Sequence, residues 1–234
     1  MRVYTQNDER YNYLVNAYSG GYELGNFQEH FQLSLEQVSR SFGDRKVIAS
    51  VSAAVSTGQI MVITGPNGSG KSTLVKMAAK LLRPSAGRVV WSLNDHEVGA
   101  DASRRLVGMV SPDLTLYNEL TAVENLLFFA HARGVPKGRD EAVAALDRLG
   151  LAGRGDDLVG AYSSGMKQRL KYAFALLHGP KLLFLDEPTA NLDEQGSRTV
   201  FDTLMIARET MCVVIATNEP EEVHWGDFVV ELGS

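Results

Sequence analysis

The stretch Gly65-Pro66-Asn67-Gly68-Ser69-Gly70-Lys71-Ser72-Thr73 constrains this chain more than any other part of it. It stands between a short apolar run, Ile60 to Thr64, and a helical pattern, Ser72 to Leu82, so the order is strand, glycine loop, helix. Glycines without β-carbons let backbone amides close around phosphate oxygens, and a helix N-terminus adds partial positive charge. In that setting Lys71 reaches the terminal phosphates of a polyphosphate, and the Ser72 hydroxyl ligates Mg²⁺. Chance alone would place such a pattern in on the order of one chain in a hundred, and the flanking strand and helix are the context the loop requires.

A phosphate loop needs a metal partner and a way to attack the last phosphate. Leu182-Leu183-Phe184-Leu185-Asp186-Glu187 supplies both, an apolar strand ending abruptly in two carboxylates. Asp186 is placed to hold Mg²⁺ through water, and Glu187 to polarise the attacking water as general base.

The rest of the chain is organised around these elements. Its 234 residues are 44% apolar and 22% charged, which fits one soluble domain with at most a sub-lobe. A net charge of −5 offers no basic excess, so nucleic acid is not expected as a partner. Residues 2–22 are too polar for a signal peptide, and no run approaches the roughly 20 apolar residues that cross a bilayer. The single cysteine, Cys212, lies in the apolar run Cys212 to Ala216, which predicts a buried thiol and a reducing compartment. Residues 1–30 are polar and without periodicity, and read as a poorly ordered extension. Strands are expected at Ile60 to Thr64, Leu182 to Leu185, Cys212 to Ala216 and Phe228 to Leu232, in a largely parallel sheet. Between 121 and 178 the pattern turns helical. Thr121 and Glu124 form a capping box, a second helix covers Arg139 to Leu149, and a third begins near Ser164, which together predict a helical sub-lobe.

Taken together, these motifs resemble the nucleotide-binding domain of ATP-binding cassette (ABC) proteins. Tyr162-Ser163-Ser164-Gly165-Met166 stands in the position of that family's signature, and Leu185 to Thr189 followed by Ala190-Asn191-Leu192-Asp193 looks like its strand end and D-loop. The resemblance covers about residues 31–234. It implies an α/β fold of the P-loop NTPase type, a RecA-like core with a mainly parallel sheet, plus an antiparallel β region and an inserted helical subdomain at about 112–178. It further implies ATP and Mg²⁺ as cofactors, with Gly65 to Thr73 binding ATP. Ser163 and Gly165 open a helix, and the family implies that they face the γ-phosphate on an opposite subunit. Phe42, in Ser41-Phe42-Gly43, occupies about the place where the family stacks an aromatic ring on adenine, the alternative being an ordinary core or turn phenylalanine.

Two family positions are not met. Pro112 stands where the Q-loop glutamine is expected and offers only its carbonyl, and Ser111 or Asp113 could take over a link to Mg²⁺ or water. Asn218 replaces the switch histidine; it donates a hydrogen bond to the γ-phosphate but carries no charge. The resemblance thus implies a slow ATPase. It would be a head-to-tail dimer of like or unlike subunits, cytoplasmic, held at the membrane by separate transmembrane permease subunits. The end of the chain two residues beyond Leu232 predicts no added regulatory domain and makes it most like compact ABC-2-type or haem-exporter subunits. The alternative is a nucleotide-gated assembly module with little hydrolysis of its own.

Overall fold

The computed structural model describes residues 29–99 and 105–233, which fall into two compact units. One comprises 29–114, 180–188 and 211–233, the other 115–179 and 189–210. The extension expected over 1–30 lies outside the described residues except for Glu29 and His30. Glu29 pairs with Lys181 at 2.6 Å, and the His30 amide donates to Asn94 Oδ1 at 2.9 Å.

In the first unit the strands are β1 (Phe31–Phe42), β2 (Arg45–Ser56), β3 (Ile60–Thr64), β4 (Ala86–Leu93), β5 (His96–Glu97), β6 (Val107–Val110), β7 (Leu182–Asp186), β8 (Cys212–Ala216) and β9 (Phe228–Glu231). They form an antiparallel sheet in the order β2-β1-β4-β5 and a parallel sheet in the order β6-β7-β8-β3-β9. Residues of β7 and β8 are all buried, as continuous apolar runs require of strands covered on both faces. By contrast β1 alternates, with Phe31, Leu33 and Leu35 buried and Gln32 and Ser34 partly exposed, so only one face enters the core. That shared core joins Phe31, Leu33, Ile48, Val55 and Trp91 to Met61, Ile63, Phe184 and Val214. Its polar atoms are satisfied: Trp91 Nε1 donates to the Ala78 carbonyl at 3.0 Å, and the Cys212 thiol to the Phe31 carbonyl at 3.3 Å. The buried thiol is as the sequence predicts, and burial pushes its pKa up to about 12.

Helix α1 (Lys71–Ala78) follows β3 and stops four residues short of the expected Leu82. Lys80 takes a left-handed backbone, φ 57°, and the amides of Leu81 and Leu82 fold back onto the Lys76 carbonyl, which ends the helix without a glycine. Strand β7 runs one residue further than expected and takes in Asp186, while β9 stops at Glu231.

The second unit holds α2 (Ala122–Ala132), α3 (Arg139–Arg148), α4 (Ser164–Leu176) and α5 (Glu194–Ala207), of which α2, α3 and α4 pack on one another and α5 packs on α4. The capping box at α2 is present: Thr121 Oγ1 accepts from the Glu124 amide at 3.2 Å, and Glu124 accepts from the Thr121 amide at 2.8 Å. Asn125, fully buried, accepts from the Tyr117 amide and donates to the Tyr117 and Thr121 carbonyls, which fixes the turn leading into α2. Helix α5 was not expected from the sequence. Asp193 caps it, and Val200, Thr203, Leu204 and Ala207 recur at helical spacing on its buried side. A short helix, α6 (Pro220–Val223), follows β8 in the first unit.

Candidate functional site

Parallel strands leave their C-terminal ends on one edge of the sheet, and the loops there are where ligands bind in such folds. Ala216, the last residue of β8, stands in register with Asp186 of β7 on one side and Ile63 of β3 on the other. Asp186 and the start of the glycine loop are therefore about two strand spacings apart, roughly 10 Å. Two further bonds tie the strand ends together. The Glu187 amide donates to the Ala216 carbonyl at 3.0 Å, and the Thr217 amide to the Ile63 carbonyl at 3.0 Å.

The glycine loop leaves β3 with Gly65 at φ 144°, Gly68 at 81° and Gly70 at 102°, conformations that side chains oppose. The first bond within α1 runs from the Leu74 amide to the Gly70 carbonyl at 2.8 Å, which leaves the amides of Lys71, Ser72 and Thr73 at the open, partially positive end. Lys71, 9% exposed, donates from Nζ to the carbonyls of Gly65 at 2.7 Å and Pro66 at 3.2 Å. Ser69 Oγ is buried with no hydrogen-bond partner, an orphaned polar atom inside the loop. An oxyanion would answer all of these groups. Pro66, Asn67, Gly68 and Ser72 are exposed.

Beside this cradle the chain offers hard oxygen donors. Asp186 is 8% exposed at the end of β7, and Ser72 opens α1. Among the described residues no group of three or more His, Cys, Asp or Glu side chains could hold a metal by itself. A hydroxyl and one carboxylate suit Mg²⁺, which keeps waters and completes its shell with substrate phosphates. Glu187 is exposed and takes φ 54°, an uncommon conformation for a residue with a side chain, of the kind held where a site requires it.

Asn218 is exposed one residue past Thr217, a buried residue whose Oγ1 accepts from the Glu219 amide at 2.9 Å. That turn projects Asn218 from the strand lying between β7 and β3. The sequence signal for Thr217 is weak, a threonine after an apolar strand being an ordinary turn signal. The β6–β7 ladder ends at Val110 and Leu185, one residue short of Ser111 and Asp186. Pro112 is exposed in the loop that follows, and Asp113 pairs with Lys76 of α1 at 3.1 Å.

Phe42 ends β1, 49% exposed at the turn between β1 and β2, so of the two ordinary alternatives the core position is excluded and the turn position is the one it occupies. Its hairpin reaches the glycine loop: a β-carbon on Gly70 would stand 2.5 Å from Ile48 Cδ1 and 3.0 Å from Val47 Cγ1.

The remaining expected residues lie in the helical unit. Ser163 caps α4, accepting on Oγ from the Met166 amide at 3.2 Å, so its proton stays available to donate. Ser164 and Gly165 open that helix, with Ser164 exposed and Met166 partly so. Tyr162 differs from the rest of the signature. It is 5% exposed, its hydroxyl donates to the Arg154 carbonyl at 2.7 Å, and burial raises its pKa, so it packs instead of facing a ligand. Asp193 is exposed and caps α5 through the Gly196 amide at 2.7 Å.

The sheet order, the glycine loop after β3 and the carboxylates at the end of β7 define a P-loop NTPase. The family model described as ABC transporter matches residues 48–190, and the chain belongs to that family. It is 31% identical over 198 residues to the linearmycin resistance ATP-binding protein LnrL of Bacillus subtilis, covering 82% of this chain and 63% of that one. It is 37% identical over 174 residues to the daunorubicin resistance ATP-binding protein DrrA3 of Streptomyces coeruleorubidus, covering 74% and 55%. The chain thus spans roughly three fifths of the length of these curated relatives. In fold it is similar to a solved bacterial ABC transporter cassette described as dimeric, with a TM-score of 0.74 at 23% identity over 86% of this chain and 94% of that one.

Proposed function

We propose that this chain is the ATP-binding and ATP-hydrolysing subunit of an ABC exporter. Two subunits close head-to-tail around two ATP molecules and drive separate transmembrane subunits, which hold them at the cytoplasmic face. The observation that carries the reading is the register at Ala216, which sets Asp186, Glu187 and Asn218 beside the glycine loop on one sheet edge. The dimer follows the dimeric cassette of similar fold, and the outward direction rests on the likeness to two resistance ATP-binding proteins. Among the described residues no helix is long and apolar enough to cross a membrane, in keeping with a pore supplied by other chains.

In this mechanism Lys71 exchanges the Gly65 and Pro66 carbonyls for oxygens of the β- and γ-phosphates. The open amides of α1 and the Ser69 hydroxyl take further phosphate oxygens, and Phe42 stacks on the adenine. Ser72 and Asp186 would hold Mg²⁺, which would neutralise charge on the phosphates. Glu187 takes the proton of the attacking water. Asn218 donates to the γ-phosphate without the charge of a histidine. Loss of one aimed donor typically costs about 10² to 10³ in rate, so turnover is slow. Ser163 and the amides of Ser164 and Gly165 meet the γ-phosphate on the partner subunit, and Asp193 orders the D-loop that follows Glu187.

Pro112 and Asn218 favour a second reading, in which ATP gates assembly and hydrolysis is incidental. Transport by the chain together with the membrane subunits that co-purify with it separates the two. The motor reading predicts that Glu187→Gln stops ATP-driven transport, and unimpaired transport by that variant would overturn it.

A further inference from the structure

The face of Phe42 is already half used. The Arg40 guanidinium lies over the ring, 4.5 Å from its centroid, while Phe42 remains 49% exposed. Residues two apart on a strand share a face, so Arg40 and Phe42 project together from β1. The register is irregular here: Arg40 faces Ile48 and Ser41 faces Lys46, which leaves Val47 as an extra residue on β2. Such bulges bend a strand and re-aim side chains. The same bulge presses Val47 and Ile48 onto Gly70, so the hairpin that carries Arg40 and Phe42 is seated on the glycine loop.

The guanidinium is held from behind. Its Nη1 donates to the Arg83 carbonyl at 2.9 Å, its Nε is buried with no hydrogen-bond partner, and among the described residues no carboxylate forms an ion pair with it. Arg40 as a whole is only partly buried, but a buried guanidinium N–H left without an acceptor is unfavourable by itself. The aromatic face is its principal compensation, through a cation–π contact. Arg40 thus covers one face of the ring, and Phe42 keeps about half of its surface exposed.

We propose that Arg40 is a positioning residue for base recognition: it backs the Phe42 ring and so prepares the opposite face to stack on adenine. This rests on the reading of Phe42 as the adenine platform. Acting through the ring, Arg40 contributes to binding of the base and not of the phosphates, and its effect disappears when the ring is removed.

The test is calorimetric titration of the full chain with MgATP and, separately, with magnesium tripolyphosphate, which has the phosphates but no base. Arg40→Ala is expected to weaken MgATP about three- to tenfold and to leave tripolyphosphate unchanged. Arg40→Lys, which keeps a cation over the ring, restores most of the loss. In a Phe42→Ala background, Arg40→Ala has no further effect. Equal weakening of both ligands by Arg40→Ala would overturn the proposal, because the guanidinium would then act on phosphate. If Phe42→Ala weakens MgATP and Arg40→Ala does not, the proposal falls while the platform stands. If Phe42→Ala leaves MgATP binding intact, the platform itself is wrong and Arg40 falls with it.

Discussion

Gly65 is the position where the sequence and the backbone of the site depend on each other most directly, and Gly65→Ala measures that dependence. At φ 144° the residue occupies a region essentially reserved for glycine, which costs a substituted residue on the order of 1 to 3 kcal/mol. A β-carbon there would run into the carbonyl oxygen of Leu232 and stand 2.9 Å from Ser69 Oγ. The obstacle is backbone and cannot rotate away. Relief requires the chain after β9 to withdraw, which strains the bond from the Leu232 amide to the Thr64 carbonyl, 2.8 Å, and forfeits about 1 kcal/mol. The expected destabilisation is about 2 to 4 kcal/mol. Gly68→Ala is the control: φ is 81°, no atom lies within 4 Å of the added carbon, and only the backbone strain of about 1 to 2 kcal/mol remains. Urea denaturation followed by tryptophan fluorescence reads both, since Trp91 lies in the core that β3 helps to build. Equal losses from the two variants would refute the steric reasoning.

Two further outcomes follow from single residues. Asn218→His returns a donor able to carry charge and is expected to raise ATP turnover about tenfold or more with little change in ATP affinity; an unchanged rate in a phosphate-release assay would show that Asn218 already meets the need. Cys212, with its pKa raised from 9.0 to about 12 by burial, should resist iodoacetamide at pH 8 until the chain is unfolded in urea. The unfolded thiol ionises first, so stability should be lost as pH rises from about 9 to about 12, and Cys212→Ala should remove that part of the loss.

The elements that the sequence made legible are those whose signal is local. The runs Ile60 to Thr64 and Cys212 to Ala216 are buried on both faces and need no partner to be recognised. The Thr121–Glu124 capping box is a pairing over three residues and is found as expected. The glycine loop carries its own context. What stayed hidden depends on tertiary contact. The long hairpin of β1 and β2 alternates like any half-buried strand and is broken by bulges, which blur its period. Helix α1 stops early because Lys80 accepts a left-handed backbone that nothing in its residue type announces. Tyr162 fits the signature by position, yet its ring is buried and its hydroxyl is bonded to Arg154. Arg40 was invisible for the same reason: its meaning comes from a ring two residues away and a carbonyl 43 residues away.

In the proposed function Glu187, beside the glycine loop, turns over ATP bound by Lys71 and its neighbours. Steady-state phosphate release by the purified full chain, with MgATP binding measured in parallel, tests it most directly. Slow release by the native chain, lost in Glu187→Gln while MgATP still binds, is the predicted result. Release that continues undiminished in Glu187→Gln, or a native chain that binds MgATP and never hydrolyses it, would contradict the account.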